Sequence, residues 1–290
     1  ASGPPTKPYF DALTANRFQW CVGSCPTLPW AEKAFPDKKG QDAIDALWDA
    51  IFSVCRITGD GKAVERWKEH VAATAKRAKI LNEYQFQTLR YTNSLGTDLT
   101  IRLPDNHVWA GGSDATPEGV EFVANMPTEE IFTAPRWDGV DGRVYAALPL
   151  AMDGNLVKDF CLDFKDGRIV DVHAGEGEEI LRRAIDTDEG AHYLGEVALV
   201  PYDSPIRNTG ILFFETLFDE NASCHLAFGE AYPSCVKGGE DMSEEAQKAA
   251  GLNRSITHVD FMVGTADLSI VGATHDGREI PVFVDGNFAF

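Results

Sequence analysis

His258 and Asp260 lie two residues apart in a segment of the sequence that is otherwise rich in apolar residues. Read as a β-strand, the segment directs both side chains to one face and Val259, Phe261 and Val263 to the other, because residues two apart point the same way. A projecting pair of imidazole and carboxylate suits a metal such as zinc, cobalt or manganese. The same spacing also allows a His–Asp hydrogen bond on a half-buried sheet.

Glu196 is the acidic residue in the most apolar surroundings, within the predicted strand Leu194–Pro201. A lone buried carboxylate is costly unless it is paired, protonated or bound to a metal. The pattern therefore marks Glu196 as a candidate ligand. The alternative is that Glu196 sits at the end of the strand and reaches solvent.

His225 follows Cys224 and precedes Tyr232 by seven residues. We expect a helix around Ala222–Ala227, and on a helix residues seven apart share a face. His225 is thus either a ligand or a core histidine bonded to a backbone carbonyl. Sequence neighbours diverge on a helix or a strand, so a nucleophilic pair of Cys224 and His225 is disfavoured.

Glu129 and Glu130 lie in the segment Asn125–Pro135, and only one of them can face a given site if the segment is extended. The alternative is a solvated acidic loop. Taken together, the chain offers two histidines and several carboxylates without a set of cysteine ligands. Mixed nitrogen and oxygen ligation is typical of a catalytic rather than a structural metal site, which indicates a metal-dependent hydrolase.

The predicted secondary structure that must position these groups changes near residue 80 from helices to strands. Apolar residues recur at three- and four-residue steps and predict two long helices, over Gln41–Cys55 and Ala63–Leu81. The remaining sequence alternates short strands with glycine-containing turns. Among these turns we expect Asp141-Gly142 and Asp166-Gly167 to close hairpins. We therefore predict an α+β fold in which a strand-rich catalytic domain, residues 81–290, follows a helical or α/β segment, residues 1–80.

Composition narrows the functional class. The 290-residue chain has 44% hydrophobic residues and a formal net charge of −19, which repels nucleic acid and anionic membranes. No apolar run approaches the roughly 18–20 residues of a membrane helix. We read the six cysteines as reduced thiols, which favours a cytoplasmic protein.

Seven segments, in order, resemble the thermophilic metallo-aminopeptidase family that includes aminopeptidases T, S and PepS. The resemblance runs from about residue 15 to the end of the chain. The segments are Gly96–Thr100, Asn125–Pro135, Asp188–Ala191, Leu194–Pro201, Phe218–Ala222, His225–Gly229 and Gly251–Gly264.

The resemblance implies two divalent ions, zinc, cobalt or manganese, in a homodimer that removes N-terminal residues from peptides with a free amino end. The implied metal ligands are Glu130, Glu196, His225, His258 and Asp260.

Two further residues acquire expected roles from the resemblance. Tyr232 lies at or beside the metals, and Glu129 is a candidate base. Glu196 is our choice for a bridging carboxylate, because its apolar strand most needs cations. We assign no metal role to the remaining histidines, His70, His107, His173, His192 and His275.

One departure concerns the N-terminal region. Family members carry an N-terminal α/β domain with roughly one hundred more residues, so residues 1–80 are expected to be a remnant of that domain. Two alternatives stay open. Instead of a metal-dependent aminopeptidase, the chain could be a truncated metal-binding scaffold without peptidase activity or another metal-dependent amide hydrolase.

Overall fold

The computed structural model describes residues 7–14, 16–152 and 154–290. Its helices are α1 (Lys7–Thr14), α2 (Leu28–Ala34), α3 (Gln41–Val54), α4 (Ala63–Tyr84), α5 (Glu178–Ile185), α6 (Pro205–Asn208), α7 (Thr216–Asp219) and α8 (Glu244–Ala249). In the part of the chain described, no helix combines the length and the apolar character that a membrane span requires.

The strands are short and fall mainly after α4. They are β1 (Thr88–Thr92), β2 (Asp98–Arg102), β3 (Asp114–Ala115), β4 (Glu121–Phe122), β5 (Ile131–Thr133), β6 (Val140–Tyr145), β7 (Leu150–Met152), β8 (Asn155–Val157), β9 (Cys161–Lys165), β10 (Arg168–His173), β11 (Leu194–Leu199), β12 (His225–Gly229), β13 (His258–Met262), β14 (Ser269–Ala273), β15 (Glu279–Val284) and β16 (Asn287–Phe288).

The chain divides into two compact units. One comprises the chain up to Ala75 together with Gly111–Thr128, and the other comprises Lys76–Ala110 together with Glu129–Phe290. The first unit is mainly helical, and α3 buries Ala43, Leu47 and Val54, which recur on one face of the helix. The α+β fold class is confirmed, while the division into functional domains at residue 80 stays a prediction.

Two antiparallel sheets dominate the second unit. The larger has eight strands in the order β10-β9-β6-β2-β1-β14-β15-β16, and the smaller has four in the order β13-β12-β11-β5. One apolar core contains buried side chains from both sheets, among them Leu99, Leu226 and Phe261. Burial of each such side chain stabilises the fold by about 1.5–3 kcal/mol. The smaller sheet therefore has one face anchored in the core.

The expected helix around Ala222–Ala227 is wrong. A single 3-10 turn, Glu220–Ala222, leads into β12, in which every residue from His225 to Gly229 is buried. A fully buried strand reads as a continuous apolar run and cannot be told from a buried helix by periodicity. His225 and Tyr232 consequently do not share a helical face.

The expected turn at Asp141-Gly142 is also wrong, because Gly142 lies inside β6. A Cβ at Gly142 would lie 2.1 Å from the carbonyl oxygen of Asp98, so the glycine serves a close strand approach rather than a reversal. The Asp166-Gly167 turn is confirmed, since it joins β9 to β10. Helix α4 extends one turn beyond the predicted Leu81 to Tyr84.

Candidate metal centre

The smaller sheet brings the acidic and imidazole side chains together through its register. Ala227 on β12 pairs with Glu196 on β11 and with Asp260 on β13. Directly paired residues share a face of a sheet, and so do residues two apart along a strand. His225, two residues before Ala227, and His258, two residues before Asp260, therefore project from the same face as Glu196.

Glu130, Glu196 and His225 form the first group of possible ligands. The Nε2 atom of His225 lies 3.1 Å from Oε2 of Glu130 and 3.5 Å from Oε1 of Glu196. Glu130 directly precedes β5, which pairs with β11. All three residues are buried, so their charges are shielded from bulk water.

Glu196, His258 and Asp260 form the second group. The Nε2 atom of His258 lies 3.5 Å from Oε2 of Glu196 and 3.3 Å from Oδ1 of Asp260. Within each group the ligand atoms all lie within 4.8 Å of one another. Glu196 belongs to both groups, and it faces the two imidazoles with different carboxylate oxygens.

Backbone carbonyls set the orientation of both imidazoles. Nδ1 of His225 donates to the carbonyl of Ser223 at 3.1 Å, and Nδ1 of His258 donates to the carbonyl of Glu230 at 2.8 Å. A carbonyl only accepts hydrogen bonds, so Nδ1 carries the hydrogen in each ring. Each Nε2 is thereby aimed at the carboxylates, which is the arrangement that metal-binding histidines adopt.

The electrostatics of the cluster favour a positive charge at its centre. Burial alone would lower the pKa of His225, but Glu130 and Glu196 outweigh it and raise that pKa well above its usual value. At His258 burial likewise lowers the pKa, but Asp260 and Glu196 outweigh this effect and raise the pKa to about 9. Protons on the imidazoles thus balance the carboxylates when no other cation is present.

The donor set fits a divalent metal. It consists of imidazole nitrogens and carboxylate oxygens without thiolates, which suits borderline cations such as zinc, cobalt and manganese. A cation would take the place of the protons that Nε2 of each histidine otherwise carries. Burial raises the pKa of Glu196, so this carboxylate gains most from a cation nearby.

Comparison with known proteins assigns the chain to a family. A model described as "Thermophilic metalloprotease (M29)" matches residues 1–288. The chain belongs to the M29 family. It is accordingly a peptide hydrolase of a metalloprotease family.

Individual M29 relatives resemble the chain over its whole length. Aminopeptidase AmpS of Bacillus subtilis is 49% identical over 290 residues, which are 100% of this chain and 70% of that protein. Aminopeptidase 2 of Geobacillus stearothermophilus is 46% identical over 97% of this chain and 68% of its own length. The solved structure of wild-type AmpT from Thermus thermophilus has a TM-score of 0.90 at 41% identity, with 98% of this chain and 68% of that chain covered.

In this M29 chain, Tyr232 lies beside the second group. Its ring centroid is 5.3 Å from that of His258 and 6.0 Å from that of Phe132, with a tilted and a T-shaped geometry respectively. Although 47% of Tyr232 is exposed, partial burial and the charges of Glu196 and Asp260 raise the pKa of its phenol. The hydroxyl therefore remains protonated and can donate a hydrogen bond.

Glu129 is buried and directly precedes Glu130 in the sequence, but it is outside both groups of possible ligands. Its backbone N–H donates to Oδ1 of Asn221 at 2.7 Å. Asn221 is itself buried and donates through Nδ2 to the carbonyl of Leu217 at 2.9 Å. The Asn221 side chain thus holds the backbone from which Glu129 and Glu130 project.

Glu220 is an acidic residue near Asp260, and the sequence analysis assigned no role to it. It lines a small cavity together with Asp260 and Thr216. Burial, followed by the charges of Asp260 and Glu130, raises its pKa well above the usual value. In the sequence Glu220 is flanked by Asp219 and Asn221, so it lacks the apolar setting that marked Glu196 and carried no such signal.

The remaining histidines of this M29 chain lie outside both groups. His70 Nε2 lies 2.7 Å from the carbonyl of Thr128, and His107 Nδ1 donates to the carbonyl of Pro104 at 2.9 Å. His173 faces Asp171 at 3.0 Å on the protein surface. His192 and His275 likewise belong to neither group among the described residues.

Cys224 is unsuited to act as a nucleophile in this M29 chain. Burial raises the pKa of its thiol to about 12, so the reactive thiolate is scarce at neutral pH. The Sγ atom donates to the carbonyl of Val200 at 3.2 Å. The Cys224 thiol therefore links two neighbouring segments of the fold and does not form a nucleophilic pair with His225.

Proposed function

We propose that this chain is a metal-dependent aminopeptidase that removes N-terminal residues from peptides. The observation that carries the proposal is the position of Glu196, whose two oxygens face His225 and His258 separately. A carboxylate so placed would be shared by two divalent cations. The names of the M29 relatives, which are aminopeptidases, support the substrate class.

The two groups would hold one divalent ion each, with Glu196 shared. Glu130 and His225 would complete the first site, and His258 and Asp260 the second. Zinc, cobalt and manganese all suit this set of nitrogen and oxygen donors. When bound, such ions supply Lewis acidity, which polarises a scissile carbonyl and makes water more acidic.

Two protein groups would complete the chemistry. A carboxylate near the cluster accepts the proton of the attacking water. Glu129 is our candidate for this base, and Glu220 is the competing one, since it too is near the cluster. The protonated hydroxyl of Tyr232 would donate to the negative charge that develops on the carbonyl oxygen.

The free amino end of the substrate would enter a negatively charged environment. Glu129 adds a buried acidic group beyond those needed for the two groups of ligands. A protonated or metal-bound amine is favoured there, whereas an acetylated end gains nothing from the carboxylates. This difference supports cleavage of one residue at a time from the N-terminus.

The proposed setting is a homodimer in the cytosol that acts on peptides. The dimer rests on the resemblance to the aminopeptidases. The formal net charge of −19 supports the exclusion of nucleic acid and anionic membranes as partners, because it repels phosphate groups.

The test uses release of p-nitroaniline from Leu- and Arg-p-nitroanilide by chelator-treated protein, with and without added zinc, cobalt or manganese. We expect the metal to restore activity, and we expect N-acetyl-Leu-p-nitroanilide, the matched control, to remain uncleaved. Cleavage of the acetylated substrate would instead indicate another amide hydrolase. A folded, metal-loaded protein without activity would indicate a metal-binding scaffold.

A further inference from the structure

The loop Asn253–Thr257, which we call the His258 loop, precedes the strand that carries His258 and Asp260. His258 is the first residue of β13 and pairs with Gly229, the last residue of β12. Because a strand end frays unless its flanking segment is held, the position of His258 depends on this loop.

The loop is tied down at its start by a buried amide. Asn253 Nδ2 donates to the carbonyl of Gly229 at 2.6 Å and to the carbonyl of Gly190 at 2.7 Å. A Cβ added at Gly190 would lie 1.8 Å from the carbonyl oxygen of Arg254, and one at Gly229 would lie 2.1 Å from that of Thr257. Neither position can accept a side chain while the loop stays in place.

Asp188 holds the middle of the loop with both carboxylate oxygens. Oδ1 accepts from the hydroxyl of Ser255 at 2.7 Å and from the backbone N–H of Ala191 at 2.8 Å. Oδ2 accepts from the backbone N–H of Ile256 at 2.7 Å. Hydrogen bonds to a charged acceptor are stronger than those between neutral groups, so this attachment is strong.

Glu230 connects the loop to the imidazole itself. Its carboxylate accepts from the backbone N–H of Ser255 and pairs with Nη1 of Arg254 at 3.0 Å. Its backbone N–H donates to the carbonyl of Thr257, and its own carbonyl accepts from Nδ1 of His258 at 2.8 Å. The residue that orients the ring is thus bonded to the loop that Asp188 holds.

We infer that Asp188 is a positioning residue for the second group of ligands, and that it keeps Nε2 of His258 aimed at Glu196 and Asp260 by fixing the His258 loop. The inference rests on the proposed metal centre. Hydrogen-bonded partners behind a metal ligand typically contribute 10–100-fold in affinity. The effect should fall on the ion at the second group, because Asp188 makes no contact among those described with Glu130 or His225.

The experiment compares Asp188→Asn with Asp267→Asn. Asp267 accepts from the backbone N–H of Ser94 at 2.8 Å and from the hydroxyl of Thr265 at 2.7 Å, so it makes the same kinds of bond outside the two groups. Binding of cobalt to metal-free protein is followed by calorimetry and visible absorption, together with the melting temperature without metal.

We expect Asp188→Asn to bind one ion as the unaltered protein does and the second at least about tenfold more weakly. Asp267→Asn should bind both ions with unaltered affinity, even if its melting temperature falls as much as that of Asp188→Asn. A second pair covers a failure of Asp188→Asn to fold: Ser255→Ala should weaken the second ion, and Ser255→Thr, which keeps the hydroxyl, should not.

Two results would overturn the inference. If Asp188→Asn or Ser255→Ala binds both ions with unaltered affinity, the positioning role is wrong while the metal centre stands. If the unaltered protein binds no divalent ion, the proposed metal centre fails and the inference fails with it.

Discussion

Ala227 lies directly opposite Asp260 in the pairing of β12 with β13, and on its other side it pairs with Glu196. The smallest chiral side chain thus separates Glu196, which belongs to both groups, from Asp260 of the second group. Both groups of ligands owe their shared face to this register, and Ala227, which is fully buried, leaves the space above the strand open.

Replacing Ala227 by Val should impair metal binding without removing a ligand. The added methyl groups would enter the space between Glu196 and Asp260, and overpacking of this kind costs about 1–3 kcal/mol. Calorimetric titration with zinc should show weaker binding of both ions. Ala273→Val, on β14 of the larger sheet, is the control and should bind both ions normally. Normal metal binding by Ala227→Val would show that the space is not used.

Glu196→Gln should lose both ions, whereas Glu130→Gln should lose mainly the ion of the first group. The reason is that Glu196 faces both imidazoles, while Glu130 faces only His225 among the contacts described. Activity of Glu196→Gln should fall roughly a thousandfold or more, since Lewis-acid assistance is worth several kcal/mol. Metal content per chain, measured by mass spectrometry, separates the two variants. Equal losses in both would contradict the shared role of Glu196.

Glu129→Gln should reduce kcat by about 10²–10⁴-fold with both ions retained, if Glu129 is the general base. Glu220→Gln is the matched comparison, because Glu220 is another acidic residue near the cluster that is outside both groups. Steady-state kinetics and metal content are measured for both variants. A large loss of kcat in Glu220→Gln alone would transfer the role to Glu220.

Tyr232→Phe should lower kcat by about 10²–10³-fold and leave KM, metal content and melting temperature nearly unchanged. The ring contacts with His258 and Phe132 survive in this variant, and only the hydroxyl is lost. Tyr232→Leu, which removes the ring as well, helps to separate packing from hydrogen-bond donation. If Tyr232→Phe retains full activity, the hydroxyl does not assist the reaction.

Asp267 should stabilise the fold only above acid pH. Hydrogen bonds from Ser94 and Thr265 lower its pKa from the usual 3.8 to about 2. Because the pKa is depressed in the folded state, the contribution is complete above about pH 4 and is lost as the pH falls towards 2. The difference in melting temperature between the unaltered protein and Asp267→Asn should therefore shrink over this range. A constant difference would contradict the hydrogen-bonding cause.

Local sequence pattern was sufficient for several features of this protein. Alternation along His258–Met262 predicted that His258 and Asp260 share a face, and the isolated acid in an apolar run singled out Glu196 as a candidate ligand, which the structure shows to be buried. Both depend on the two-residue period of a strand and on the cost of burying a charge, which are properties of neighbouring residues. The α+β class followed from the change of periodicity after α4 in the same way.

Tertiary structure decided what those patterns left open. His225 lies on a strand and not on a helix. The sequence did not reveal this, because a fully buried strand has no alternation of apolar and polar residues for periodicity to detect. Glu130 rather than Glu129 faces His225, since strand pairing between β5 and β11 sets which acid points at the cluster. Glu220 lies close in sequence to His225, and Asp188 close to Glu196, but the roles of both depend on charges and hydrogen bonds that arise only after folding.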